Sequence, residues 1–228
     1  MKVILFIAAA FAVYWFFFKT KTKTKTFEEH MAEGEAAEKE ENFEKALESY
    51  RSAVELKPAD AEAHGNMGLM YGKLGKLDDA IRCYQKAVEL DPKCEYSISM
   101  LGMMYRSAGK YDEAIRRLRK ALTFDEKNVI RNRELGLAYL GKGDYDEAIR
   151  FFQKTIDLDY EDAKAHFSMG KTYLIKGNYD KAIDCFKEAL AIDTDAEEPD
   201  DFKGPYDDIG DESLLNEYFQ KAKALAKK

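Results

Sequence analysis

Residues 61–92 read AEAHGNMGLMYGKLGKLDDAIRCYQKAVELDP and contain two amphipathic helices joined by a turn. Apolar and small residues recur at the spacing of one helix face, first at His64, Met67, Gly68 and Tyr71 and again at Leu77, Ala80, Ile81, Tyr84, Ala87, Val88 and Leu90. Gly75 ends the first helix because glycine adopts the left-handed conformation of a C-cap without a side-chain penalty. Pro92 ends the second because proline cannot continue a helix. The stretch therefore predicts a helical hairpin.

The chemistry of this hairpin returns every 34 residues along the chain. A glycine recurs at Gly34, Gly68, Gly102, Gly136 and Gly170, and an alanine keeps the same step at Ala46, Ala80, Ala114, Ala148 and Ala182. Such a fixed period indicates a stacked repeat array, because one hairpin is too small to bury its apolar faces alone. Within a hairpin we expect the glycine and the alanine, for example Gly68 and Ala80, to face each other where the helices cross.

The pattern resembles the tetratricopeptide repeat (TPR) family. The matching features are a small residue ahead of an aromatic, then alanine, aromatic, alanine and proline, as in Gly68, Tyr71, Ala80, Tyr84, Ala87 and Pro92. The phase gives five units, residues 27–60, 61–94, 95–128, 129–162 and 163–194. Unit one departs from the pattern, with Ala37 in place of the tyrosine and Glu41 in place of the turn glycine. The resemblance implies an all-α fold, a right-handed superhelix (α-solenoid), whose first helices line a concave groove that binds peptides or proteins.

Charge is placed unevenly along the chain. Residues 1–26 hold five lysines and no acids, so the remainder is more acidic than the whole-chain net charge of −7. That balance argues against nucleic acid as a partner, since phosphate binding needs a basic face. The three cysteines are an odd number without CxxC spacing, which favours structural thiols and a reducing compartment over disulfide or metal roles.

Residues 1–18 are expected to form an N-terminal transmembrane anchor. Residues 3–18 are uninterrupted apolar sequence, and Lys2 and Lys19 can lengthen the span by snorkelling. The alternative is a cleaved secretory signal, because Ala8 and Ala10 offer a cleavage site. The lysines of the Lys/Thr spacer, residues 19–26, favour a cytoplasmic location for the repeats, although an exported location stays open.

The C-terminal region divides into a loop and a helix. Residues 195–210 are acidic and interrupted by proline and glycine, and they lack the register of a calcium-binding loop, so a solvated linker is expected. Residues 211–228 follow as an amphipathic helix. This helix either caps the open end of unit five or occupies the concave groove.

Motifs typical of enzymes are missing from the sequence, which has no phosphate-binding loop, no HExxH, no GxSxG and no four-cysteine metal set. His30, His64 and His166 are separated by multiples of 34 residues, which favours a shared packing role over metal ligation or acid–base chemistry. We therefore expect a protein that is not an enzyme and holds no cofactor or metal.

The partner-binding residues are expected on the helix face next to the core face of each first helix. In TPR proteins that bind chaperone tails, lysine and asparagine at these positions hold a terminal carboxylate. In this chain one of those positions carries leucine or methionine. The carboxylate clamp of the chaperone-binding proteins is therefore absent. The candidates form an apolar stripe edged by basic residues, suited to an amphipathic partner segment with some acidic residues: Leu69, Tyr96, Met103, Arg106, Ile130, Arg133, Leu137, Leu140, Lys164, Phe167, Lys171 and Leu174. The alternative is that several of them only pack between neighbouring first helices.

Together these features predict a membrane-anchored TPR scaffold that recruits or assembles partner proteins in its groove. No small-molecule substrate is expected. Two other functions remain open, a permanent structural or assembly subunit of a membrane complex and a receptor for targeted or secreted proteins.

Overall fold

The computed structural model describes residues 25–195 and 212–226, and these residues form eleven α-helices. The helices are α1 (Phe27–Lys39), α2 (Phe43–Leu56), α3 (Ala61–Lys73), α4 (Leu77–Leu90), α5 (Glu95–Ser107), α6 (Tyr111–Leu122), α7 (Val129–Lys142), α8 (Tyr145–Leu158), α9 (Ala163–Ile175), α10 (Tyr179–Ile192) and α11 (Glu212–Ala226). Each odd-numbered helix up to α9 packs against the helix that follows it, and each even-numbered helix packs against the first helix of the next pair. The prediction of an all-helical array of hairpins is confirmed.

The turn inside each hairpin depends on one residue in the left-handed conformation. Gly75 follows the C-cap of α3 and has a φ of +69°. The glycines at the same position of the next three units, Gly109, Gly143 and Gly177, also have positive φ. In unit one the same position holds Glu41, which adopts φ 55°. A side chain in this conformation is strained, so the first hairpin makes its turn at a cost that the other four avoid.

A bulky side chain lies over a glycine where the two helices of each hairpin cross. A Cβ atom built on Gly136 would lie 2.7 Å from the Phe152 ring, and one on Gly68 would lie 3.0 Å from the Tyr84 ring. The sequence predicts Ala80 opposite Gly68, and the nearest atoms to a Cβ on Gly68 belong instead to the ring of Tyr84, one turn further along α4. Side chains on a helix lean toward its N-terminus, so the ring of Tyr84 reaches back over Gly68.

Hydrogen bonds link successive hairpins at the same repeat position. Gln85 Nε2 donates to the hydroxyl of Tyr105 at 2.7 Å, and the guanidinium groups of Arg51 and Arg119 donate to Tyr71 and Tyr139 in the same way. Each of these bonds spans 20 residues, from a second helix to the first helix of the next unit. The repeated tyrosine therefore contributes its ring to the core and its hydroxyl to the contact between units.

Helix α11 covers the end of unit five. Leu215, Phe219 and Ala222 are buried and share a core cluster with Phe167 and Phe186. The Phe219 ring centroid lies 6.0 Å from that of Phe186 and 6.1 Å from that of Phe167. The helix thus takes the place of a sixth first helix, and it hides an apolar surface that a terminal repeat would otherwise expose.

Two predicted segments lie outside the described residues. The expected anchor at residues 3–18 precedes them, and most of the acidic loop at residues 195–210 falls between α10 and α11. Within residues 25–195 and 212–226, no helix has both the length and the apolar character needed to cross a membrane.

The helix crossings predict opposite effects for two glycine substitutions. Gly136→Leu should destabilise the full-length protein by roughly 1–3 kcal/mol, because the Phe152 ring leaves no room for a side chain. Gly72→Ala should stabilise it by roughly 0.5–1 kcal/mol, because the nearest atom to its Cβ, the Met104 sulfur, is 3.6 Å away and alanine favours the helix. Thermal and urea unfolding of both variants measure the two effects. Equal effects of the two substitutions would contradict this account of the crossing.

Candidate partner-binding groove

The candidate groove is the surface formed by the first helices α1, α3, α5, α7 and α9. Its predicted residues recur at equivalent repeat positions on α3 to α9, so that Leu69, Met103 and Leu137 are 34 residues apart. These three side chains are half-buried and pack against the central core. They form the floor of the groove, and part of each remains accessible.

Tyr96 and Ile130 are the predicted groove residues with the most exposed apolar surface. Tyr96 is 48% exposed and Ile130 is 54% exposed. Both occupy the second residue of their first helix, α5 and α7. Exposed apolar side chains at one repeat position of two neighbouring first helices give an apolar patch, and such patches on a folded protein indicate an interaction site.

The arginines predicted to edge the groove are paired with acidic residues of neighbouring helices. Arg106 Nε donates to Glu134 Oε2 at 2.8 Å, Glu134 is buried, and the Arg106 side chain is 9% exposed. Arg133 forms an ion pair with Asp162, whose side chain is 5% exposed. These contacts join α5 to α7 and α7 to the N-terminus of α9. The charge of both arginines is therefore largely compensated within the protein, and the expected basic edge is weaker than the sequence indicates.

Most of the predicted groove residues of unit five are buried. Phe167 is 2% exposed, and Lys171 and Leu174 are also buried, as is Leu140 of unit four. Phe167 contacts Phe186 at a ring-centroid distance of 5.4 Å and Phe219 of α11. Lys164 is exposed. The accessible groove therefore lies mainly along units one to four, because α11 and its neighbours cover the apolar positions of unit five.

Units one and two contribute an acidic part of the groove that the sequence pattern did not predict. Burial raises the pKa of the Tyr50 phenol, and the negative charges of Glu38, Glu35 and Glu62 raise it further. These three carboxylates therefore lie close to Tyr50. The Tyr50 hydroxyl donates to Glu38 Oε2 at 3.3 Å. Aligning unit one with the other units puts Glu35 at the position of Leu69, which is the signal that could have revealed this acidic part.

Two of the histidines, His64 and His166, serve the contacts between units. Nε2 of His64 lies 3.0 Å from the carbonyl oxygen of Pro58, and Nε2 of His166 lies 3.0 Å from that of Tyr160. Asn132, at the equivalent position of unit four, donates from its side-chain amide to the carbonyl of Glu126 at 3.0 Å. A polar side chain at this position thus binds the turn that ends the preceding unit. In the part of the chain that the structure describes, no group of three or more potential metal ligands comes together.

Two cysteines share a repeat position on second helices. Burial raises the pKa of the Cys83 thiol to about 11 and that of Cys185 to about 12. Both thiols are therefore protonated at neutral pH, which makes them poor nucleophiles. Cys94 instead caps α5, where its sulfur accepts a hydrogen bond from the Ser97 amide at 3.5 Å.

Family models agree with the repeat pattern. Two models of the tetratricopeptide repeat match residues 61–94 and 129–195, and a third TPR repeat model matches residues 39–75 and 102–143. Between them the three models span most of the five units. No curated protein matches the chain.

Several solved structures share the fold. A crystal structure of MamA protein is 27% identical, with a TM-score of 0.67, and the match covers 74% of this chain and 92% of that one. A structure of MamA from Desulfovibrio magneticus RS-1 is 21% identical, with a TM-score of 0.71, and covers 75% of this chain and 97% of that one. YrrB, described as a TPR protein with an unusual peptide-binding site, is 24% identical, with a TM-score of 0.64, and the match covers 73% and 86% of the two chains.

Proposed function

Because the chain belongs to the tetratricopeptide repeat family, we propose that it is a scaffold that binds a partner protein or peptide in its groove. The exposed apolar patch of Tyr96 and Ile130 carries this proposal. Both residues stand on first helices next to the half-buried floor, where a solvated helix face would present polar side chains. A partner segment lying across α5 and α7 would bury this patch.

The size of the patch suits reversible binding. Burying one large aliphatic or aromatic side chain contributes roughly 1.5–3 kcal/mol, and a few such contacts offset by ordering costs give an affinity on the order of micromolar. A scaffold that recruits and releases its partners needs affinities of this order. The proposal assigns the chain no catalytic role.

We further propose that residues 3–18 anchor the scaffold in a membrane, with the repeats on the cytoplasmic side. The uninterrupted apolar sequence and the lysines that follow it support this proposal. The partner would then be collected at the membrane surface. A permanent subunit of a membrane complex would stay stoichiometric with its neighbours through high-salt washing, whereas a recruiting scaffold would lose its partners.

The groove proposal predicts a specific loss of binding from one exposed substitution. Ile130→Glu in the full-length protein should reduce the amount of co-purifying partner at least about tenfold, because one buried aliphatic contact accounts for that factor in affinity. The melting temperature should change by no more than a few degrees, since the side chain is 54% exposed.

Leu56→Glu is the matched control for this experiment. Leu56 is 52% exposed at the end of α2, outside the predicted groove residues, so this variant should keep the partner. Quantitative mass spectrometry measures how much partner co-purifies with the unchanged protein, with Ile130→Glu and with Leu56→Glu. Retention of the partner by Ile130→Glu, or equal loss from both variants, would contradict a binding site on α5 and α7.

The anchor proposal predicts how the intact protein fractionates. Full-length protein should stay in the membrane pellet after alkaline carbonate extraction, because a spanning helix resists release where a peripheral contact does not. N-terminal sequencing of the extracted protein should begin at residue 1 or 2. A mature N-terminus directly after Ala10 would instead establish the cleaved-signal alternative.

A further inference from the structure

A cavity lies between the N-terminal ends of α3 and α5, beside the apolar patch. Its volume is about 430 Å³, and Glu62, Gly65, Asp91 and Tyr96 are among its lining residues. Three side chains of its wall, those of Asp60, Glu62 and Asp91, are carboxylates. Tyr96 adds an aromatic surface that is 48% exposed. The cavity thus combines negative charge with an accessible ring.

The cavity exists because Gly65 has no side chain. A Cβ atom built on Gly65 would have one neighbour within 4 Å, the Ser97 hydroxyl oxygen at 3.5 Å. A Cβ atom at this position would therefore make only an ordinary van der Waals contact with α5. In the third unit the equivalent residue is Ser99, which is small and buried.

The fourth unit shows which group fills the equivalent space. Arg133 stands 68 residues after Gly65, two repeat lengths, and so occupies the same position on its first helix. Its guanidinium extends from α7 to Asp162, the residue that caps α9. At the α3–α5 junction the two equivalent positions hold Gly65 and Cys94, so neither the arginine nor its acceptor is repeated there, and the carboxylates of the cavity come from Asp60, Glu62 and Asp91 instead.

Two of the three carboxylates at the open α3–α5 junction bond to backbone amides rather than to basic side chains. Asp60 accepts a hydrogen bond from the Ala63 amide and Asp91 accepts one from the Lys93 amide. Among residues 25–195 and 212–226, no basic side chain forms an ion pair with Asp60, Glu62 or Asp91. At the other junctions Glu134 and Asp162 are paired with arginines, so negative charge gathers at units one and two.

Glu38, a neighbouring groove residue, adds to the negative electrostatic potential at the cavity. Glu38 raises the pKa of the Tyr96 phenol, although burial is the larger cause. Glu38 therefore lies near enough to influence the rim of the cavity. A cation at the Tyr96 ring would gain attraction from both the carboxylates and the ring face.

We propose that this cavity binds the guanidinium of an arginine supplied by the partner segment, in the place that Arg133 fills at the α7–α9 junction. The inference rests on the proposed groove function and deepens it by naming one residue type of the partner. Arginine fits better than lysine because its planar group can donate to several carboxylates at once and also stack on an aromatic ring. The partner segment would place this arginine at units two and three and its apolar residues against Ile130.

The test uses two small probes that differ in charge and not in shape. N-acetyl-arginine amide and its neutral isostere, N-acetyl-citrulline amide, are titrated into the isotopically labelled full-length protein. The backbone amide signals of Gly65, Tyr96 and Ser97 should shift with the arginine probe. The citrulline probe should bind at least about tenfold more weakly, because it lacks the positive charge that the carboxylates and the aromatic ring attract. Added salt should weaken only the arginine probe.

Two matched variants separate cavity filling from added charge. Gly65→Arg should fill the cavity as Arg133 does and abolish the shifts, while leaving the melting temperature unchanged or higher. Gly72→Arg adds the same charge two turns along α3, at the position of Arg106 in the next unit, and should keep at least half of the binding. Glu62→Gln provides an independent variant with little effect on folding, because Glu62 is exposed. This variant should weaken the arginine probe several-fold.

Each outcome has a defined meaning. Equal binding of the two probes, no shift up to the highest probe concentration, or undiminished shifts in Gly65→Arg would overturn the arginine site. Those results would leave the groove proposal standing if Ile130→Glu still loses its partner. Arginine-selective shifts combined with a partner that Ile130→Glu retains would overturn the groove proposal instead.

Discussion

The contact on which the array depends is the close crossing of two helices over a glycine in every hairpin. The Phe152 ring over Gly136 and the Tyr84 ring over Gly68 occupy the space that a side chain would need. This crossing sets the distance between the helices, and that distance lets the tyrosine of the first helix reach the second helix of the preceding unit. The same crossing turns the adjacent face of each first helix outward, so the groove follows from the packing.

Charge pairing inside the array decides the chemistry that the groove offers. The guanidinium groups of Arg106 and Arg133 bind Glu134 and Asp162 across neighbouring first helices. Pairing of this kind positions the helices and removes the basic character that the residue types suggest. Carboxylates such as Glu62 have no such partner among the described residues, so the first two units present negative charge beside an apolar patch. A partner segment with apolar and basic residues, as proposed above, would complement this surface.

The sequence predicts this fold well because its signals are local. The 34-residue step, the turn glycines such as Gly75 and the apolar face of each helix all depend on residues within one hairpin. The groove depends on residues from different units, and there the sequence is a weaker guide. The pairing of Arg106 with Glu134 joins residues 28 apart. The burial of Phe167 depends on α11, which begins 45 residues later. The Gly65 cavity is visible in the sequence only after the units are aligned and Arg133 is placed at the same position.

The most direct test of partner binding in the groove is site-specific photo-crosslinking in cells. Benzoylphenylalanine would replace Tyr96 in one full-length protein and Tyr160 in another, two tyrosines that are 48% and 58% exposed. Tyr96 borders the groove, whereas Tyr160 lies in the turn between α8 and α9 and donates to Glu188 of α10. The account predicts a partner crosslink at position 96 and none at position 160. A partner crosslink at position 160 with none at position 96 would contradict it.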